Sequence, residues 1–413
     1  MNKSPVFAMA QVGAGVTLLL LALAIGANPA LAGNTATLPA GAFLLDGNRL
    51  WTRTETRWSD GRTAQPLIDG IVRYEPGGGL QGTITAKPFV SYRFVSTQLF
   101  YGLTDHLTLA VAAPLITASV IEPRLGWTPG QYQSTLGRPY SETDFWQWAQ
   151  SMGQPKPGDF RGNDGVLADL VLGARYRLPP LPGLRDWGID SAVAVQGALP
   201  TGQRPDPEEL VAAGTTVWDL HNYGDAEVHL ALERGWRWDG VARINLGVDV
   251  YYSWLRERSY QTPRGVRNPL LLTFAPYVGE SYRINPGDMA GVTGLLELVP
   301  WIGPTRGSWI AGGKLENAAK FPPLLTLSAA HTYAHVNSSD WTSESRLWDW
   351  EREEDWQPGD KNTVKLGADL SLLRIGLPLQ FYAGYRNQEW IPGRNTRATN
   401  VTSVGARLLL KFW

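Results

Sequence analysis

Apolar and polar residues alternate one by one along several stretches of the chain. Within residues 166–177, Leu172 and Tyr176 fall on one face and Arg175 and Arg177 on the other. Successive side chains of a β-strand point to opposite faces, so this pattern predicts strands with one apolar and one polar side. The same alternation recurs in residues 225–233, 242–254, 364–372 and 379–386.

These alternating runs are long. Strands of soluble proteins commonly have about 5 to 6 residues, whereas a tilted strand needs roughly 9 to 11 residues to cross a membrane. A soluble β-sandwich also alternates, but the length of the runs favours a membrane protein. Because unpaired strand edges are costly in lipid, a spanning sheet must close on itself. The pattern predicts an all-β fold, a closed antiparallel up-and-down transmembrane β-barrel with a polar lumen.

About fourteen segments are predicted as strands, with 12 or 16 as alternatives, since single-chain bacterial barrels have an even number. The weakest segment is 308–318, which is included because without it the polar stretch 337–361 would fall among the short turns. The predicted strands are 49–58, 87–101, 106–118, 165–178, 188–200, 222–235, 241–254, 269–283, 288–300, 308–318, 323–336, 362–374, 379–390 and 399–413.

Short and long connections alternate between these strands. In outer-membrane barrels the short turns face the periplasm and the long loops face the exterior, so both chain termini are expected in the periplasm. Tight turns are predicted at 102–105, 237–240, 285–288 and 374–378. Long extracellular loops are predicted at 119–164, 201–221, 255–268, 337–361 and 391–398.

The beginning of the chain has the features of a cleaved signal peptide. Lys3 precedes an apolar run over residues 12–25, and Ala30-Leu31-Ala32 supplies a small-residue cleavage pattern. An uncleaved anchor is the alternative, but the run is shorter than the ~20 residues that a membrane helix needs. We expect a signal peptide at 1–32, a short periplasmic segment or peg at 33–48, and the barrel at 49–413.

The end of the chain is a strand with two terminal aromatic residues. Residues 401–413 alternate and finish with Phe412 and Trp413, of which Phe412 is in register with the apolar face. This resembles the C-terminal strand that the bacterial barrel-assembly machinery recognises, and an ordinary buried strand is the alternative. Outer-membrane lipid and the barrel-assembly machinery are therefore expected partners.

Composition refines this picture. The 413 residues include 37 basic and 38 acidic side chains, and the net charge of −1 offers no positive excess for binding nucleic acid. The absence of cysteine excludes disulfides and thiolate metal sites, and no cofactor or metal is expected. A mean hydropathy of −0.19 together with 18 Trp fits an apolar band around a polar lumen.

Charged residues on the polar faces of the strands are candidates for the lumen wall. Their mixed signs predict little selectivity for either ion charge, and the alternative is that they pair across strands and only maintain a polar interior. These candidates are Arg175, Arg177, Asp225, Glu227, His229, Arg243, Asp249, Lys365, Asp369, Arg386 and Arg407.

Two loops are rich in tryptophan. The segment that begins at Ser141 has acidic residues in its first turn and predicts a capped helix that could cover the mouth as a lid. Aromatic side chains there could collect apolar solutes at the entrance, or the loops could simply pack against each other. The entrance candidates are Trp146, Trp148, Trp341, Trp348 and Trp350.

An outer-membrane hydrolase has little support. It needs a histidine within hydrogen-bond reach of a serine or a carboxylate, and the chain has 5 His. His331 and His335 are assigned to a polar face and lie ~13 Å apart along a strand, which is too far to share a metal. A rim pair of His335 and Asp340 is the remaining hypothesis for a surface protease, and no catalytic residue is assigned.

Three short motifs resemble a family of outer-membrane proteins named for the meta-cleavage pathway of phenol degradation. Residues 101–109 read YGLTDHLTL and are followed by Ala113-Pro114, residues 172–178 read LGARYRL, and residues 199–202 read LPTG. The resemblance covers residues 95–240, and it departs from the family where Ala168 replaces the usual glycine. It implies an outer-membrane barrel that admits small, often hydrophobic or aromatic, molecules.

The sequence thus predicts a passive or gated outer-membrane channel for the uptake of small hydrophobic or aromatic molecules. Two other functions remain open at this stage. The first is a structural or ligand-binding barrel without transport, and the second is the outer-membrane hydrolase. Solute uptake and hydrolase assays would separate the three.

Overall fold

The computed structural model describes most of the chain. The described residues are 35–66, 71–74, 80–87, 89–122, 124–130, 137–151, 156, 159–162, 165–202, 225–238, 242–261, 279–301, 323–345 and 358–411. The predicted signal peptide, Trp348, Trp350, Phe412 and Trp413 lie outside these ranges.

Within the described residues, twelve antiparallel strands form one sheet that closes on itself. Each strand pairs with its neighbours along the chain, and the first strand also pairs with the last, which makes an up-and-down barrel. The strands are β1 (Ala42–Trp58), β2 (Phe89–Thr104), β3 (Leu107–Glu122), β4 (Leu170–Arg177), β5 (Ile189–Leu199), β6 (Ala226–Trp238), β7 (Ala242–Trp254), β8 (Met289–Trp301), β9 (Leu325–Val336), β10 (Gly359–Ser371), β11 (Leu379–Asn387) and β12 (Thr396–Lys411). Three short strands, Ala64–Pro66, Phe160–Gly162 and Val166–Leu167, are bonded to this sheet outside the ring.

The count of about fourteen strands is wrong, and the structure has the stated alternative of 12. Two strands, 269–283 and 308–318, were predicted on either side of β8, but β8 pairs directly with β7 and with β9, so no further strand lies between them. Residues 281–285 instead belong to a separate small sheet with 258–261 and 340–343, and residues 308–318 lie outside the described part. Removing one predicted strand on each side of β8 leaves twelve strands, which is still an even number.

The connections define two different ends of the barrel. At the turn end lie the described connections 105–106, 178–188, 323–324 and 372–378, together with the start of β1 and the end of β12. At the loop end lie the described residues 59–66, 71–74, 80–87, 124–130, 137–151, 156, 159–162, 165–169, 200–202, 225, 255–261, 279–288, 337–345, 358 and 388–395. The predicted tight turn 285–288 is at the loop end, because it leads from a loop strand into β8.

The outer surface of the barrel carries an apolar belt. Leu172, Leu230, Val250 and Val404 are between 43% and 51% exposed, and each alternates with buried or half-buried neighbours. The rings of Phe43 and Tyr101 contact each other near the turn end at 4.5 Å, and those of Tyr252 and Trp254 near the loop end at 4.8 Å. On β1 the outward Phe43 and Trp51 span a height of roughly 20 Å, close to the band of a membrane barrel.

A closed barrel with an apolar belt between aromatic girdles is the structure of a bacterial outer-membrane protein, and this chain is located there. No helix within the described ranges is long and apolar enough to cross a membrane.

The loop end carries its own small folded layer. Helix α1 (Glu142–Ser151) confirms the helix predicted from Ser141 onward. Residues 71–74, 80–86 and 125–129 form a three-stranded sheet, and Ile84 in that sheet packs with Tyr140 and Phe145 into a buried cluster. This cluster fixes α1 on the sheet.

The segment before β1 crosses the lumen at the turn end. The backbone N–H of Leu38 donates to Oγ1 of Thr108 on β3, at 2.8 Å. The hydroxyl of Thr35 donates to Oε2 of Glu233 on β6, also at 2.8 Å. Since β6 lies almost opposite β1 in the ring, residues 35–41 reach from one wall to the other.

Candidate functional site in the barrel lumen

The predicted lumen residues occupy inward positions of the strands. Arg175, Arg177, Glu227, His229, Arg243, Asp249, Lys365, Asp369, Arg386 and Arg407 alternate with the residues of the outer belt, and Asp225 directly precedes β6. The lumen is nevertheless not uniform, because different sectors of the wall carry different chemistry.

A buried network joins β10, β11, β12 and β1 near the turn end. The guanidinium of Arg407 donates to Oδ2 of Asp46 and to Oδ1 of Asp369, each at 3.0 Å. The phenol of Tyr382 donates to the other oxygen of Asp46 at 2.7 Å, and Arg407 lies 4.0 Å above the Tyr382 ring. Asp46 and Arg407 are at most 1% exposed, so this part of the lumen is filled by side chains.

His229 on β6 is hydrogen-bonded to two carboxylates, Glu227 on the same strand and Asp249 on β7. Nδ1 of His229 is 2.9 Å from Oδ1 of Asp249, and its Nε2 is 2.5 Å from Oε1 of Glu227. Gln196 donates to the same oxygen of Glu227, and the hydroxyl of Ser253 donates to its other oxygen. Both imidazole nitrogens are therefore engaged, which leaves neither free to act as a base.

Closer to the turn end, the inner face of β6 to β8 carries acidic side chains. Oε1 of Glu233 is 3.8 Å from Arg243, and Glu297 accepts a hydrogen bond from Asn245 at 2.8 Å. The hydroxyl of Thr35 reaches Glu233 from the crossing segment. Arg177, at the mouth of the turn end, pairs with Asp190 at 2.6 Å.

Toward the loop end, the inner face of β10 to β12 is basic. Lys365 and Arg386 face each other directly across the β10–β11 ladder. The electrostatic neighbours of Lys361 are Arg386 and Arg397. Asp249 and Glu227 are electrostatic neighbours of Lys365 across the lumen.

The inner face of β2 and β3 is largely apolar, whereas that of β1 is mixed, with Asp46, Asn48, Thr52 and Thr54 buried alongside Leu50. Leu50, Val90, Phe94 and Ile116 point inward and are at most 6% exposed. Tyr92 lies beside Phe94, with ring centroids 6.0 Å apart. This wall is the main feature that the sequence pattern did not predict, because residues 89–104 have apolar side chains on both faces.

Charged and aromatic residues at the loop end contact one another. Arg258 donates to Asp225 at 2.9 Å, and both side chains are at most 2% exposed. Trp146 donates to Glu142 within α1, and Trp148 is 41% exposed. Both tryptophans contact the ring of Phe145, so packing between loop residues accounts for their positions.

Helix α1 begins with a reciprocal cap. The N–H of Ser141 donates to Asp144 at 2.8 Å, and the N–H of Asp144 donates back to the Ser141 hydroxyl at 3.2 Å. Arg138 contacts both carboxylate oxygens of Asp144, at 2.6 and 2.8 Å. Arg138 and Ser141 together hold the pKa of the Asp144 carboxyl well below its ordinary value.

The remaining entrance candidates are only partly described. The backbone at Trp341 belongs to the short strand Asp340–Ser343, which pairs with residues 281–285. Its side chain, like Trp348 and Trp350, lies outside what the structure describes.

The assignment of His331 and His335 to a polar inner face is wrong. Both share the outward face of β9 with Leu327 and Tyr333, because the β9 register places its odd-numbered residues outside. His335 pairs with Asp360 at 2.8 Å rather than with Asp340. Within the described residues, no cluster of histidine and carboxylate side chains could hold a metal ion.

Several inward residues were not identified as lumen candidates from the sequence. Asp46 precedes the predicted start of the barrel, Lys361 and Arg397 fell in predicted loops, and Glu233 and Glu297 were not selected although they lie in predicted strands. Extending the alternation of β10 and β12 toward the loop end would have revealed Lys361 and Arg397.

No protein-family model matches the sequence, and no curated protein matches it significantly. Among solved structures, an outer membrane channel from Pseudomonas putida F1 is 11% identical, with 92% of this chain and 98% of the other covered and a TM-score of 0.47. The translocator domain of autotransporter NalP from Neisseria meningitidis is 9% identical, with 97% of each chain covered and a TM-score of 0.36. The monoaromatic hydrocarbon channel CymD is 12% identical, with 93% of each chain covered and a TM-score of 0.31.

Proposed function

We propose that the protein is an outer-membrane channel for the uptake of small hydrophobic or aromatic molecules. The observation that carries this proposal is the two-sided lumen, in which the apolar inner wall of β2 and β3 is separated by β1 alone from charged inward side chains on β10 to β12. A solute with an aromatic ring can pass along the apolar wall while its polar groups stay hydrated on the other side. The resemblance of residues 95–240 to the phenol meta-pathway family supports the same solute class.

The strand number is consistent with a narrow path. A barrel of about 8 strands is filled by its own side chains, whereas one of about 16 encloses a water channel. The twelve strands of this barrel lie between these limits, and residues 35–41 narrow the turn end further. We place the turn end in the periplasm and the loop end outside the cell, as in other outer-membrane barrels.

Liposome swelling tests the channel. Liposomes that contain the protein should swell faster in phenyl glucoside than in maltose, a solute of comparable size without an aromatic ring. Deleting residues 35–40 should speed swelling in both solutes, because it removes the crossing segment. An Arg49→Gln variant is the matched control, since Arg49 lies on the outer face above the Trp51 ring, 5.4 Å from its centroid. Swelling no faster than in protein-free liposomes, even after the deletion, would refute the channel in favour of a barrel without transport.

A further inference from the structure

Exposed arginine side chains lie on the outer surface of β1 and β2 near the loop end. Arg53 and Arg93 alternate with buried inward residues, so both point away from the lumen. The side chain of Arg53 is 64% exposed, and Arg93 is also exposed. At the same end of β6, β7 and β8 the outward residues are Val228, Trp254 and Ala290, which carry no charge. The outer surface of β1 and β2 therefore differs from that of β6 to β8.

Arg93 lies at the edge of the apolar belt. Its direct cross-strand partner on β1 is Trp51, and its partner on β3 is Ala118. Arg49 lies over the Trp51 ring from the turn side, 5.4 Å from its centroid, and Arg53 is one outward repeat away on the loop side. Tryptophan is enriched at the depth of the lipid headgroups, and a charged residue on the lipid face costs least there. The two exposed arginines of β1 and β2 beside Trp51 thus lie at headgroup depth.

The carboxylates near this surface are bonded to other groups. Glu55 contacts Arg53 and Arg124, each at 2.8 Å. Glu389, the other acidic neighbour of Arg53, is hydrogen-bonded to β12. Arg93 forms no ion pair with any residue in the described part of the chain. Its guanidinium is therefore exposed toward the lipid with its hydrogen-bond donors available.

We propose that Arg53 and Arg93 bind the phosphate of a phosphorylated glycolipid in the outer leaflet, whose acyl chains lie along the apolar belt. The two arginines are diagonal neighbours across the β1–β2 ladder, and long side chains can meet over the separation of about 7–8 Å. Guanidinium groups bind phosphate through paired, charge-assisted hydrogen bonds, so one phosphate between them can accept from both. The proposal uses the placement of the loop end outside the cell and does not depend on transport.

Native mass spectrometry of the purified barrel tests this surface by counting the lipid molecules that stay bound. Diphosphoryl lipid A should bind more tightly than phosphatidylcholine, whose phosphate is neutralised by its own choline group. Arg93→Gln should weaken binding of diphosphoryl lipid A about tenfold, because it removes a charged donor to the phosphate. Arg93→Lys keeps the charge and should bind more tightly than Arg93→Gln. Arg53→Gln, a second variant of the same surface, should also weaken binding.

The matched control is Arg234→Gln. Arg234 also points outward and lies over a tryptophan ring, 4.8 Å from the centroid of Trp236, but at the turn end. This variant should bind lipid A like the parent protein. The proposal is overturned if phosphatidylcholine binds as tightly as lipid A, if both loop-end variants bind like the parent, if Arg234→Gln loses as much, or if equimolar inorganic phosphate displaces the lipid. Liposome swelling is a separate measurement, so loss of either result leaves the other standing.

Discussion

At the scale of single residues, two inward tyrosines lie flat against glycines of the neighbouring strand. Tyr382 faces Gly405 across the β11–β12 ladder, and Tyr251 faces Gly291 across the β7–β8 ladder. A Cβ atom added to either glycine would overlap the tyrosine ring. The glycines thus allow the rings to lie along the wall, which aims the Tyr382 hydroxyl at Asp46.

Gly405→Ala should therefore destabilise the barrel. The displaced Tyr382 ring loses its hydrogen bond to Asp46 and its contact with Arg407, and we expect a loss of about 1–3 kcal/mol in the free energy of unfolding. Urea unfolding in lipid vesicles measures it. Gly47→Ala is the control, because a Cβ there would meet no atom within 4 Å. Equal stability of the two variants would show that the ring is not held by this contact.

Most charged lumen residues could be predicted from the sequence, but which of them lie close to one another could not. Alternation identifies Asp249 and Lys365 as inward once their strands are recognised. It does not tell which strands face each other across the lumen, so the proximity of Lys365 to Asp249 follows only from the closed ring. The apolar wall escaped prediction because alternation cannot assign a strand such as β2 that is apolar on both faces.

At the scale of elements, helix α1 shows how much a local sequence signal can establish. Ser141 and Asp144 form the reciprocal cap that the sequence predicts, and Arg138 adds a two-pronged ion pair. Capping depends on residues three positions apart, so it can be recognised without knowledge of the fold.

Stability of α1 should fall in acid, where two carboxylates of its first turn, Glu142 and Asp144, become protonated. The folded pKa of Asp144 is below its ordinary value of 3.8, so the carboxylate stabilises the helix cap at every pH above 3.8. This contribution is lost as the pH falls from 3.8 through the lower folded pKa. Hydrogen exchange of the α1 amides, measured with the barrel intact, should show faster opening over that range. Glu142 adds a smaller contribution that is lost from pH 4.5 downward, because its pKa is also lowered, by hydrogen bonds from Lys156 and Trp146. Asp144→Asn should remove the part below pH 3.8, and an unchanged dependence there would assign it to another group.

The strands themselves were mostly predictable, since each of the twelve overlaps a predicted segment. The two surplus predictions, 269–283 and 308–318, flank β8 in the sequence, and the direct pairing of β8 with β7 and β9 leaves no further strand between them. Strand pairing depends on register between distant parts of the chain, and local pattern contains no information about it.

At the scale of the whole molecule, the strand number can be tested by cross-linking. The chain contains no cysteine, so introduced pairs report cleanly. Cysteines at Val250 and Val292, direct partners on β7 and β8, should form a disulfide on mild oxidation. A pair at Leu298 and Leu327, partners on β8 and β9, should do the same.

The control pair for this experiment is Val250 and Tyr333. These residues are separated by the whole of β8, ~10 Å, which is too far for a disulfide. If the first two pairs stay reduced in the folded barrel, an additional strand separates them and the twelve-strand ring is incorrect.

The crossing segment also constrains the order in which the molecule is completed. Thr35 and its partner Glu233 are 198 positions apart in the chain. Contacts across so long a loop form late, because its closure entropy must be paid first. The crossing segment cannot form its hydrogen bond to Glu233 until β6 has taken its place in the wall. At least half of the wall must therefore form before this contact. We therefore expect the crossing segment to add its narrowing of the turn end as a late step, after much of the wall has formed.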